Sequence, residues 1–79
     1  MISSKQIKAA RMLLGWKGKD LADKSGVGIT TLRRYEAQEG IPSANKFVLK
    51  AIKSCLEEAG VVFSGDPVET PGVSLNQRD

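Results

Sequence analysis

The run from Leu21 to Tyr35 constrains this chain more than any other stretch, because Leu21, Ala22, Gly26, Val27, Leu32 and Tyr35 stand at spacings that only a few backbones accommodate. Glycine adopts positive φ without a steric penalty, so Gly26 can end one helix within a single residue, after which Val27 turns inward and Gly28 opens the next helix. Two short helices that cross steeply through so tight a turn need a small residue where they touch, and Ala22 supplies it. Leu21, Val27, Leu32 and Tyr35 then fill the wedge between them. The spacing predicts helices over 18–25 and 29–37. With Leu32 and Tyr35 facing inward, Ile29, Thr30, Arg33 and Arg34 form the outward face of the second.

The rest of the chain supplies what this pair packs against. Ser3 and Gln6 have the spacing of a capping box, and Ile7, Ala10 and Leu14 recur at helical intervals until Gly15, which predicts a helix over about 4–14. Trp16 stands five residues ahead of Leu21, the spacing of a hydrophobic staple across a helix entry at Lys17. Gly40, Pro42 and Ser43 mark a break. Beyond it, Ala44, Phe47, Val48, Ala51, Ile52, Cys55, Leu56 and Ala59 trace an apolar stripe that ends at Gly60. Residues 61–64 and 73–76 are β-prone and are separated by Gly65, Pro67, Pro71 and Gly72, so a hairpin is expected. An isolated hairpin is marginal in water and must pack on the helices or pair with a second subunit. The fold class expected is mainly α, four helices with a C-terminal β-hairpin, organised as 1–60 and a 61–79 hairpin or tail.

Composition narrows the function. At 79 residues and 41% hydrophobic content the chain suits one small domain, for which a subunit interface is a natural further source of stability. There is no histidine, and Cys55 is the one cysteine, so an internal disulfide is impossible and the usual zinc-ligand sets are missing; no metal and no cofactor are expected. With no carboxylate pair and no phosphate-binding glycine loop, and with Cys55 on an apolar stripe, an enzyme is disfavoured and no small-molecule ligand is evident. No apolar run reaches the roughly 18 residues of a membrane span and residues 1–8 hold no hydrophobic signal segment, so a cytoplasmic protein with no membrane partner is expected. Charge is divided unevenly. Residues 1–56 carry eleven Lys and Arg against four acids, and residues 57–79 carry one against five. A polyanion would bind the basic part.

With these residues in place, the stretch 6–59 resembles the phage repressor and Cro-like helix-turn-helix family, also called the xenobiotic-response-element (XRE) family. The run LADKSGVGITTLRRYEAQEGIPS is similar to the centre of that family's pattern, from the Leu-Ala of the second helix through the Tyr-Glu of the third to the Pro-Ser before the fourth. The resemblance implies a four-helix lambda-repressor-like DNA-binding domain, with Arg11 and Glu36 joined as a structural ion pair. A charge on the inner face of the first helix is costly unless paired, which accounts for Arg11 interrupting an apolar face. Two departures stand out. The family's usual Ser or Thr cap and following Gln are here Lys17 and Gly18, which should weaken that helix by about 1 kcal/mol. Gly28 replaces the commoner cap of the third helix at a cost of only a few tenths of a kcal/mol.

The resemblance further implies that the helix over 29–37 enters the DNA major groove. Ile29 and Thr30 then enter first, Arg34 is the candidate for a bidentate bond to guanine, and Arg33 holds a base or a phosphate. Lys17, Gly18, Lys19, Gly28, Asn45 and Lys46, at helix N-termini, are the expected phosphate contacts. Lys5, Lys8, Lys50 and Lys53 read as solvating charge. One such unit contacts few base pairs, so a homodimer on a palindromic operator is expected, with Leu56, Val61, Val62, Phe63, Val73 and Leu75 as its interface. Repression by occupancy, in a bacterial or phage-infected cell and at the nucleoid, is the expected role of this double-stranded DNA-binding regulator. The alternative is a protein-interaction module of the same fold, an antitoxin subunit or the partner of a larger regulator.

Overall fold

The computed structural model describes residues 1–76; the last three positions of the 61–79 segment lie outside the described residues. Four helices, α1 (Ser4–Leu13), α2 (Gly18–Ser25), α3 (Ile29–Ala37) and α4 (Lys46–Glu58), are followed by strands β1 (Val61–Ser64) and β2 (Gly72–Leu75). The mainly helical architecture with a terminal hairpin is the one expected.

Local chemistry sets each boundary. The Ser3 Oγ accepts the Gln6 N–H at 3.2 Å while the Gln6 Oε1 accepts the Ser3 N–H at 3.0 Å, the reciprocal capping box. At the other end of α1 the Gly15 N–H donates to the Met12 carbonyl and the Trp16 N–H to the Arg11 carbonyl, each at 3.0 Å. This Schellman pattern satisfies carbonyls that a helix end otherwise leaves open, and it stops α1 one residue earlier than the periodicity suggests. Gly26, at φ +77°, is the left-handed residue that ends α2. The N-terminus of α2 differs from expectation. It has no capping hydroxyl, yet Asp20 supplies half a capping box, its Oδ2 accepting the Lys17 N–H at 2.8 Å, which offsets part of the weakness predicted there.

Ile2, Ile7, Leu21, Leu32, Ile52 and Leu56 form the centre of one core to which all four helices contribute except for α3's outer side. α4 presents a different face from the one its stripe suggests. Leu49, Ile52 and Leu56 are buried, Val48 and Cys55 flank them, and Phe47 and Ala51 lie outside. Apolar residues occupy more than one side of this helix, so periodicity alone leaves its rotation open; packing against α2, α1 and β1 decides it.

The strands pair antiparallel with each other, Val61 opposite Leu75 and Phe63 opposite Val73. Those four side chains share the inward face, with Val61 fully in the core and the others half-buried, while Val62 and Ser74 point out. The Gln6 amide nitrogen donates to the carbonyls of Gly72 (3.1 Å) and Ser64 (3.4 Å), fixing the hairpin to α1. The loop begins at Gly65, φ +73°, where a β-carbon would collide with the Thr70 carbonyl oxygen, so only glycine fits.

Candidate nucleic-acid interface

α3 meets α2 and α1 on its inner side, where Leu32 is fully buried and Tyr35 nearly so. Opposite them, Thr30, Arg33 and Arg34 are exposed, and among the described residues neither guanidinium has a hydrogen-bond or ion-pair partner. Three of the four predicted base-reading side chains therefore project together from one face of one short helix.

Ile29 is placed differently. It is half-buried and packs against the core, its Cδ1 lying 3.5 Å from where a β-carbon on Gly18 would stand. The position at which a longer side chain was expected is empty of one, and the isoleucine leans into that room. Its exposed flank is smaller than that of a free outward residue, and its orientation depends on α2.

The candidate phosphate contacts lie at the N-termini of α2, α3 and α4. Lys17, Lys19, Asn45 and Lys46 are exposed, Gly18 is half-buried, and Gly28 is exposed with open space around it, so that an anion can approach its backbone. Asn45 also serves structure: its Oδ1 accepts the Phe47 N–H at 2.8 Å as the cap of α4, which leaves its amide nitrogen to donate outward. The N-termini of α2, α3 and α4 thus each combine unpaired amides and a positive dipole end with lysine, asparagine or glycine that does not block approach.

Two clamps from α1 set the attitude of α3. Arg11 binds Glu36 with both ends of its fork, Nε to Oε2 at 3.1 Å and Nη2 to Oε1 at 3.0 Å, and its Nη1 donates to the Trp16 carbonyl at 3.0 Å. With side-chain exposures of 19% and 10%, this is a largely desolvated pair that ties α1, the entry of α2 and the end of α3 together. Ser4 is the second clamp. Its buried hydroxyl donates to the Tyr35 carbonyl at 2.6 Å in the last turn of α3. Nothing in the sequence singles out Ser4, since its partner is a main-chain atom 31 residues away. The Lys24 ammonium sits 5.3 Å from the Trp16 indole centroid, a cation–π contact that links the last turn of α2 to the residue before its N-cap.

Residues 7–49, more than half of the chain, match the helix-turn-helix family. The chain belongs to that family. It is a DNA-binding helix-turn-helix regulator of the XRE type, α2 and α3 being its two crossing helices. Neither a curated protein nor a solved structure shows significant similarity to it. No helix among the described residues is long and apolar enough to cross a membrane.

The hairpin lies beyond the matched segment, and the six residues expected at a dimer interface fall into two groups. Leu56 and Val61 are buried in the core of the single chain, at 0% and 3% exposure, and offer no surface to a partner. They were expected at an interface because an apolar helix end next to an apolar strand reads the same whether its cover is a subunit or the chain's own α1. Val62 is exposed, and Phe63, Val73 and Leu75 keep part of their surface open.

Proposed function

We propose that this regulator binds a palindromic operator as a homodimer, reading bases in the major groove with α3 and repressing transcription by occupancy. The observation that carries the reading is the unpartnered face of Thr30, Arg33 and Arg34, together with the exposed lysines at the N-termini of α2 and α4. Arginine forks left without an internal partner suit guanine N7 and O6, and Thr30 supplies a hydroxyl that serves either donor or acceptor. The open flank of Ile29 is suited to a thymine methyl. Lys17, Lys19, Asn45 and Lys46, with the backbone at Gly18 and Gly28, position the protein on phosphate without specifying sequence. A protein so built acts in the cytoplasm, at the nucleoid.

Selection of bound duplexes from a random pool tests the proposal directly: an enriched inverted repeat is expected, with half-site centres about 34 Å apart. On that site Arg34→Ala should lose discrimination at one base pair, about 1–3 kcal/mol, whereas Lys19→Ala should weaken all sequences alike and flatten the salt dependence by about one phosphate. If no sequence is enriched and binding shows no steep salt dependence, the fold is serving a protein partner instead.

A further inference from the structure

Two exposed features lie outside the α3 face of Thr30, Arg33 and Arg34, the first of them bordered by Lys46, one of the proposed phosphate contacts. The first is a shallow groove between the chain start and α4, floored by Met1, Ile2, Phe47 and Leu49. Phe47 is 80% exposed and Met1 71%, apolar surface that this chain leaves uncovered. Lys46, Lys50 and Lys53 edge the groove against one carboxylate, Glu57. The second feature is the hairpin loop, where Val68, 58% exposed, stands between Asp66 and Glu69. The Asp66 carboxylate accepts the N–H groups of Val68 and Glu69, both at 2.9 Å, which holds the loop in shape. The Glu69 carboxylate has no partner among the described residues.

These features are opposite in charge and alike in carrying exposed apolar side chains, Met1 and Phe47 in the groove and Val68 on the loop. They also flank the same short segment. The Ser4 N–H donates to the Gly40 carbonyl at 2.8 Å, and a Val68 methyl lies 3.9 Å from where a Gly40 β-carbon would stand, which puts the loop beside the start of α1. Met1 and Ile2, immediately before that point, line the groove, yet none of residues 66–69 does. The loop therefore does not cover its own groove. A two-fold arrangement in which each loop meets the other copy's groove makes the same contact twice, the condition for a closed dimer. Two grooves facing each other would instead oppose six lysines.

We infer that a second copy of this chain docks its 66–69 loop into the Phe47 groove, with Val68 on the apolar floor and Glu69 between Lys50 and Lys53, reciprocally. This rests on the homodimer of the proposed function and assigns its surface. Full-length protein with Glu69→Lys, or with Lys50→Glu and Lys53→Glu together, is compared with the unaltered chain by sedimentation equilibrium; none of these positions belongs to the proposed DNA contacts. Each charge reversal should raise the dimer dissociation constant about ten-fold or more, because the contact occurs twice. Combining the reversals on one chain should bring it back to within about three-fold, a rescue that general damage to folding could not give. Phe47→Ala should weaken the dimer without rescue by any charge change. A dimer unaffected by all of these overturns the assigned surface and leaves the homodimer standing. A chain that stays monomeric at high concentration, both free and on selected DNA, overturns the homodimer and this surface with it.

Discussion

Removing the Arg11 fork tests whether α3 is held by geometry or merely by burial. Arg11→Met keeps an apolar stem against the core and deletes three hydrogen bonds, two charge-assisted bonds to Glu36 and one to the Trp16 carbonyl. The Glu36 carboxylate is left at 10% exposure with no counter-charge. Breaking a fully buried pair costs about 3–5 kcal/mol and breaking a surface pair under about 1. With the arginine itself 19% exposed, the expected loss lies toward the buried end, about 3 kcal/mol. For a domain of this size that corresponds to a fall in Tm of about 12–24 °C.

Glu36→Gln keeps an acceptor for the fork and should cost about 2 kcal/mol, while the double variant should cost less than the two losses together, leaving a coupling of about 2 kcal/mol. Urea denaturation followed by the fluorescence of Trp16, the one tryptophan, reports directly on the junction that the fork ties. Because the pair is largely desolvated, raising salt should diminish the coupling little. A loss below about 0.5 kcal/mol for Arg11→Met, or coupling indistinguishable from zero, would refute the reasoning and return α3's attitude to apolar packing alone.

Three other perturbations have defined outcomes. Ser4→Ala removes the donor to the Tyr35 carbonyl and should cost about 1 kcal/mol in denaturation, with specific DNA affinity falling more than non-specific affinity because α3's last turn is freed. Gly18→Ala should be neutral or stabilise by up to about 1 kcal/mol, since Gly18 does not have positive φ and its β-carbon would meet Ile29 at an ordinary 3.5 Å; a melting curve decides. Cys55 should react with a thiol reagent at pH 8 more slowly in the folded chain than in urea, because burial, with Glu58 second, pushes its thiol pKa up and keeps the reactive thiolate scarce.

Most of the fold was legible because its punctuation is local. Capping at Ser3, reversal at Gly26 and the breaks at Gly15 and Gly60 are properties of a few adjacent residues, and they place the helices to within one or two positions. The outward placement of Thr30, Arg33 and Arg34 followed from the inward pull of Leu32 and Tyr35. What could not be read was anything decided by a distant partner. The rotation of α4 depends on which of two apolar sides α2 and the hairpin cover. The burial of Leu56 and Val61 depends on the hairpin folding back onto its own chain. Ser4 answers to a carbonyl, which carries no sequence signature.

The two departures at Gly18 and Ile29 illustrate how separate residues become one feature. Taken singly, a glycine in the first turn of α2 is a weak helix former, and an isoleucine at the start of α3 is an apolar residue on a polar face. In space the second packs beside the first, with 3.5 Å between the isoleucine methyl and the missing β-carbon, room for a methyl group but tight for anything longer. The isoleucine consequently buries part of its surface while keeping a flank open, and the glycine carries no side chain to screen its own backbone. Substituting a long polar side chain at 18 would therefore act in two places, screening that backbone and pushing Ile29 outward. In the proposed binding mode the base preference of α3 is therefore sensitive to position 18 on α2, a residue that contributes no side chain to the contact.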